Sequence, residues 1–549
     1  MKRRSFLLTA AAPALAPADA QTTGGPDVVR PPDRVRVDGE TGSHRLTREG
    51  GRWSAGGVEV EAEPGAGGLA IRLRAPRTAV TRIWLRWKGA TPEGMRFLGD
   101  HWERSYGDLE WRGFVADRPM PWYFLASNGR ASSGYGVKTG AGSIASWQVD
   151  PDGVTLCLDV HNGGSGVELG ERRLEAATVV MVKGGGALDT ARRLCRAMCP
   201  KPKALAAPVY GGNNWYYTYG KGLTAEAMLR DSALMSDLAP ASASNRPFMV
   251  LDMGWAELAE GAGPSRNSNA GFPDMPTLAE RIRKRGARPG IWLRPLLTTD
   301  RLSEAWRLPG RQAGGGARSP YFVLDPSVAE ALAYVGEQVR VLREWGFDLI
   351  KHDYTTFDIT GRWGFQMLPD LTERGWRFHD RTRTTAEIVS KLYAAIREAA
   401  GDALLIGCNT IGHLGAGLFE MQRIGDDTSG REWSRTRKMG VNTLAFRLPQ
   451  HGTLFAADAD CVPVTKDIPW ELTRQWLDLV VRSATPLFVS ADPAALGDRE
   501  RAALKAAFAE AARPHPGIEP HDWFETTMPS RWSGPAGPVR FDWHAGDVD

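Results

Sequence analysis

From Val209 onward, strand-like apolar runs alternate with amphipathic helical segments at the spacing of βα units, and this alternation confines the chain to few architectures. The strands read from it are 209–210, 247–252, 288–293, 347–353, 403–408, 422–426, 452–455 and 486–490. Between them, apolar residues at three- and four-residue spacing predict helices over 224–236, 275–284, 327–345, 385–400 and 469–483. Eight such units over about 300 residues match the size of a (β/α)8 barrel. A doubly wound sheet would share the alternation, but Gly211-Gly212-Asn213-Asn214-Trp215 after the first strand is a poor match to GxGxxG or a phosphate loop.

The chain ahead of this region reads differently. Short runs such as 58–61, 80–87 and 154–160, separated by Gly, Pro and Asp turns, predict a β-sandwich. A helix over 187–198 follows, and then Pro200, Pro202 and Pro208 mark a linker. With 549 residues, too many for one core, the expected organisation is multidomain. It comprises an N-terminal β-sandwich over 27–199, a linker over 200–208, a catalytic (β/α)8 TIM barrel over 209–512 and a short C-terminal extension over 513–549. The first twenty residues carry Lys2, Arg3 and Arg4, an apolar stretch over 6–16 and Ala18-Asp19-Ala20, the order of an export signal. The adjacent arginines make it twin-arginine-like, with an ordinary secretory signal as the alternative. The expected mature chain starts near Gln21 and is exported, periplasmic or extracellular.

No later stretch reaches the eighteen apolar residues of a membrane span, so no membrane insertion is expected. A net charge of +4 gives no reason to expect nucleic acid as a partner. Cys157, Cys195, Cys199, Cys408 and Cys461 are too scattered for a disulfide scaffold and form no CxxC pair. His352 and His413 are isolated, without HxH or HExxH spacing, so neither a metal nor a cofactor is expected.

In a barrel of this type the chemistry sits where strands end, so polar residues closing an apolar strand are the candidates. They are Asp252 after Phe248-Met249-Val250-Leu251, Lys351 and Asp353 after Leu349-Ile350, Cys408 and Asn409 after Leu404-Leu405-Ile406, and Asp426 after Arg423-Ile424-Gly425. Two carboxylates at one mouth are what glycoside hydrolysis needs: one attacks the anomeric carbon and the other protonates the leaving oxygen. Lys351, two residues before Asp353, shares its side of the strand and would favour the ionised nucleophile, while Asp427 beside Asp426 supplies a like charge. A lone Asp at a strand end is more often a turn former or cap. Several in one barrel favour chemistry. Trp215, Trp255 and Trp292 are open between core packing and sugar stacking. Cys408 taken alone reads as a small buried hydrophobe.

At these residues the chain resembles the α-galactosidase and α-N-acetylgalactosaminidase clan, glycoside hydrolase families 27 and 36, over about 210–492. Gly212-Asn213-Asn214-Trp215-Tyr216 is similar to the first-strand G-x-N-x-W motif, and Val250-Leu251-Asp252-Met253-Gly254-Trp255 to a motif ending in D-D-G-W. Phe272-Pro273-Asp274-Met275 and Gly290-Ile291-Trp292 resemble the approach to the third strand. Lys351-His352-Asp353-Tyr354 is similar to the K-x-D nucleophile motif, and Gly407-Cys408-Asn409 to residues contacting the sugar 2-substituent. Gly425-Asp426-Asp427-Thr428 resembles the acid/base segment, and Ala457-Asp458-Ala459-Asp460-Cys461 the N-D-P-D motif.

The resemblance implies a retaining, exo-acting α-glycosidase with Asp353 as nucleophile and Asp426 as general acid/base. Trp215, Asp252, Trp255, Trp292, Lys351, Cys408, Asn409, Arg423 and Asp427 would bind an oligosaccharide or glycoside. Two departures bear on the sugar. Met253 stands where the clan has a second aspartate for the 4- and 6-hydroxyls, and Arg294 where family 36 has an acidic residue. The clan's arginine four residues before the acid/base is displaced to Arg423, three before. A hydroxyl buried without a partner costs about 1–3 kcal/mol, so Met253 suits a pentopyranose such as β-L-arabinopyranose better than galactose. The rival readings are a related α-glucosidase-type hydrolase and a non-catalytic carbohydrate-binding protein on the same barrel.

Overall fold

The computed structural model describes residues 25–257, 265–300, 302–310, 321–367 and 369–545. The proposed export signal lies outside them. The N-terminal region forms one antiparallel sheet of thirteen strands, from Arg34–Gly39 to Leu174–Lys183. Alternation is visible in its pattern of burial: in Gly68–Arg74, Leu69, Ile71 and Leu73 are buried while the residues between them are partly exposed. Phe124, in the second strand of the order, and Trp147, in the twelfth, bring their rings within 5.7 Å, so the sheet is folded over on itself around its aromatic core. Helix α1 (Ala187–Met198) then buries Leu194 and Met198 against this sheet. It comes so close that a Cβ on Gly136 would stand 2.5 Å from the Met198 sulfur.

Residues 200–208 carry no regular element. Beyond them, nine strands form an all-parallel sheet: β1 (Tyr210–Asn213), β2 (Phe248–Leu251), β3 (Arg288–Leu293), β4 (Leu349–His352), β5 (Leu404–Gly407), β6 (Met421–Arg423), β7 (Ala456–Asp458), β8 (Cys461–Val464) and β9 (Leu487–Ala491). Their order is β7-β6-β5-β4-β3-β2-β1-β9-β8. The two end strands are consecutive in the chain, separated by Ala459 and Asp460, and Asp460 takes a left-handed φ of 73°. An apolar cluster apart from the main core takes residues from both ends and the middle of the order, among them Ala456, Cys461, Leu349 and Phe488. The sheet therefore curls around an apolar interior. Parallel strands need crossovers, and helices α2 (Ala225–Leu238), α3 (Met275–Lys284), α4 (Ala329–Glu344), α5 (Thr385–Ala400) and α6 (Trp470–Arg482) supply them. Helix α5 starts at a capping box: the Thr384 hydroxyl accepts from Glu387 N at 3.1 Å, and the Glu387 carboxylate from Thr384 N at 2.9 Å.

Two sequence expectations shift. The seventh strand was expected at 452–455 and runs through β7 and β8 instead, because Gly452 turns the chain with a φ of 67°. The sixth ends at Arg423, leaving Asp426 in the loop beyond it. There Ser105 of the N-terminal region forms a parallel bridge with Gly425. The C-terminal residues form a small antiparallel sheet of Glu519–Pro520, Arg531–Gly534 and Gly537–Arg540, docked where Trp433 donates to the Trp543 carbonyl at 3.0 Å.

Candidate active site

Parallel strands deliver their last residues to one edge of the sheet, and the charged candidates collect there. Alternation along β4 sends Lys351 and Asp353 to one side and His352 to the other. His352 is fully buried between the rings of Tyr393 and Phe419, at 5.5 and 5.6 Å, and burial pushes it down to about 3. It is a packing residue.

Lys351 Nζ donates to Asp252 Oδ2 at 2.7 Å, and Asn213 Nδ2 donates to the same oxygen at 2.6 Å. Asp353 is held on both oxygens. Oδ2 accepts from Trp292 Nε1 at 3.0 Å, and Oδ1 accepts from the backbone N–H groups of Tyr354 at 2.7 Å and Asn409 at 2.9 Å. Burial alone would raise this carboxyl. The charges of Lys351 and Arg104, with these donors, outweigh it and hold Asp353 below the usual carboxylate range. Tyr354, the next residue, takes a left-handed φ of 62°, and its ring lies 4.1 Å beneath the Arg294 guanidinium. Strain of this kind persists only where the surroundings enforce it.

Asp426 is addressed by two arginines: Arg104 Nη2 lies 2.9 Å from Oδ1 and Arg435 Nη2 lies 2.8 Å from Oδ2. Arg423 closes β6 with 2% of its side chain exposed and reaches Asp460 at 2.5 Å, Asp427 at 3.1 Å and Asp458 at 3.4 Å. Asp460 in turn accepts from the Thr428 N–H at 2.7 Å, which fixes the start of the loop after Asp427. Asn409 donates from Nδ2 to Glu103 and accepts from Phe357 N at 2.9 Å. Cys408 is buried beside Asp353, Lys351 and Arg423, and burial pushes its thiol well up.

The structure thus brings Asp252, Trp292, Lys351, Asp353, Cys408, Asn409, Arg423, Asp426 and Asp427 together. Trp215, half-buried in the short helix Trp215–Thr218, lies at the same edge with its ring 5.7 Å from that of Tyr219. Trp255 does not belong to the site. It is fully buried, donates to the Trp292 carbonyl at 3.0 Å and packs against Trp345, after a turn at Gly254 with a positive φ of 122°. Trp292 is buried, and its indole N–H donates to the Asp353 carboxylate.

Sequence reasoning missed Glu103 and Arg104. They come from an irregular segment of the N-terminal region, His101-Trp102-Glu103-Arg104-Ser105-Tyr106, whose density of charged and aromatic residues outside a strand was the available signal. Glu103 is buried and raised by that burial, offset in part by Arg104; it accepts from Tyr106, from Gly364 N at 2.9 Å and from Asn409. Arg435 was also missed, as was the Arg294–Asp358 pair at 2.6 Å.

A folded-over antiparallel sheet followed by a curled parallel sheet is a fold this chain shares with solved α-galactosidases. An α-galactosidase from Thermus thermophilus, solved with p-nitrophenyl α-D-galactopyranoside, matches with a TM-score of 0.61 and 19% identity, over 92% of this chain and 98% of its own. The family 36 α-galactosidase AgaB from Geobacillus stearothermophilus matches at a TM-score of 0.56 and 16% identity, over 87% of this chain and 74% of its own. One from Lactobacillus brevis gives 0.52 and 13%, over 86% and 72%. No protein-family model and no curated protein matches the sequence.

Proposed function

We propose that this chain is a retaining, exo-acting α-glycosidase of the α-galactosidase type, working by double displacement on a (β/α)8 barrel in which β7 and β8 are halves of one strand. The observation that carries the reading is the setting of Asp353, a buried carboxylate fixed on both oxygens by Trp292, Tyr354 and Asn409 with Lys351 beside it. That is how a nucleophile is kept ionised and aimed. Asp353 would attack the anomeric carbon while Asp426 gives a proton to the leaving oxygen, and Asp426 would then take a proton from the water that releases the sugar. Each Asp426 oxygen faces one guanidinium group, which leaves each a second lone pair toward the substrate.

A second reading of the sugar rests on Met253. Its backbone N–H donates to Asp252 at 2.8 Å, and its thioether offers a 6-hydroxyl only a weak acceptor. A β-L-arabinopyranoside, which lacks that hydroxyl, suits the position. The barrel over 209–512 would be the catalytic domain, flanked by the sandwich at 27–199, the linker at 200–208 and the extension at 513–549, and residues 1–20 would direct export.

Turnover of a panel of aryl α-D-galactoside, β-L-arabinopyranoside, α-N-acetylgalactosaminide and α-glucoside identifies the sugar. NMR of the first-formed product should show the anomeric configuration of the substrate. Asp353→Gly should abolish turnover, and azide should restore cleavage of an activated substrate as the glycosyl azide of opposite configuration. First-formed product of inverted configuration from the wild type overturns the mechanism. Absence of turnover across the panel leaves the carbohydrate-binding reading.

A further inference from the structure

The segment that carries Glu103 and Arg104 is tied to the loop of Asp426 by main-chain bonds. Ser105 N donates to the Ile424 carbonyl at 2.9 Å, and Asp426 N donates to the Ser105 carbonyl at 2.8 Å. Arg447 straddles both strands, donating to the Ile424 carbonyl at 2.8 Å, the Glu103 carbonyl at 2.7 Å and Asp100 at 2.7 Å. Gly107 makes the approach possible: its φ is 70°, and a Cβ there would meet the Lys438 carbonyl oxygen at 2.3 Å. Arg104 therefore enters the site from a fixed backbone. Its side chain is 7% exposed, with Nη2 at 2.9 Å from Asp426, Nη1 at 3.7 Å from Asp427, Nε at 3.9 Å from Glu103, and the guanidinium 5.2 Å over the Trp363 ring.

We propose that Arg104 is a positioning residue for Asp426, holding its carboxylate in the orientation from which it passes its proton to the leaving group. The proposal rests on Asp426 being the general acid/base. The charged groups facing Asp426 are Arg104 and Glu103 from the N-terminal segment, Asp427 from its own loop, Arg435 from the following short helix, and Arg423 of β6 reaching it through Asp427. Arg435 is 39% exposed and screened by water, so the buried Arg104 is the stronger counter-charge. A carboxylate held by this fork from a fixed backbone is kept in line with the oxygen it protonates, so the contact matters most for leaving groups that need a proton.

The test is the slope of log kcat/KM against leaving-group pKa over a series of whichever aryl glycosides the wild type cleaves. Arg104→Gln should steepen it, slowing the poorest leaving groups by roughly tenfold or more relative to the activated ones. Arg435→Gln should steepen it less. Arg104→Lys keeps a charge but loses the fork that spans Asp426 and Asp427, so its slope should lie between those of the wild type and Arg104→Gln, and this variant carries the test should Arg104→Gln fail to fold. In Asp426→Asn protein, Arg104→Gln should lower every rate alike, through its charge on Asp353, and leave the slope unchanged. A wild-type slope in both Arg104 variants overturns the proposal, as does a further steepening by Arg104→Gln in the absence of Asp426. A wild type that cleaves no glycoside refutes the underlying reading of the site instead.

Discussion

Replacing Lys351 by Met should separate what this residue does for the fold from what it does for catalysis. Its Nζ lies 2.7 Å from Asp252, with 9% and 4% of the two side chains exposed, so the variant leaves Asp252 as a buried carboxylate without its cation. Breaking such a pair costs about 3–5 kcal/mol. If about 300 residues unfold together, each contributing about 2.1 cal/mol/K of unfolding entropy, Tm should fall by roughly 5–8 °C. Burial alone lowers the proton affinity of Lys351, but Asp252 outweighs it and raises the amine well above its ordinary value. The stabilisation is therefore fully present below the unfolded amine's pKa and is lost only as pH rises through the folded one. The deficit should accordingly stay constant between about pH 6 and 9. Calorimetry or circular dichroism across that range gives the numbers. The double variant Lys351→Met, Asp252→Asn, which removes both charges, should regain most of the Tm while remaining inactive, since Asp353 has still lost its neighbouring cation. A single variant within 2 °C of wild type, or a double variant no more stable than the single, would refute the reasoning.

Two further outcomes follow from the same charges. Asp426→Asn should slow glycosides with poor leaving groups far more than activated aryl glycosides, as measured by the slope of log kcat/KM against leaving-group pKa; equal losses would contradict its role. Burial lowers His413 to about 4 and His352 to about 3, so the unfolded chain binds more protons below about pH 6.5. Thermal stability should then decline from about pH 6.5 to 4, by up to roughly 3 kcal/mol for His413, ahead of any loss from Asp353, and His413→Phe, which keeps the stack on Trp122, should remove that share of the slope in melts against pH while those of His352 and His451 remain.

What the sequence made legible was the part governed by short-range pattern. Helices α1, α3 and α5 fall on the predicted residues because their apolar spacing and, for α3 and α5, their caps at Asp274 and Thr384 are local signals. Lys351 and Asp353 could be placed on one side of β4 from spacing alone. The break between β7 and β8 could not, since Asp460 adopts its left-handed turn through Arg423, Thr428 and Tyr216, which lie far from it in the chain. Trp255 and Trp292 look alike in sequence, two tryptophans near strand ends. Only the packing tells a buried strut from a donor to Asp353. Glu103 and Arg104 belong to a segment with no periodicity, and their role comes from contacts that no local pattern encodes.

The clamp between the two regions also dictates when the site comes into being. Ser105 bonds to Thr443 across 338 residues of chain, and Glu103 to Arg447 across 344. Contacts this remote in sequence close late, after their loop entropy has been overcome by the folding of the intervening strands. A nascent chain halted before Arg447 lacks both this bracket around Asp426 and the strands at 456–491 that complete the parallel sheet. The strand-end cluster is thus assembled only when nearly all of the chain has been made.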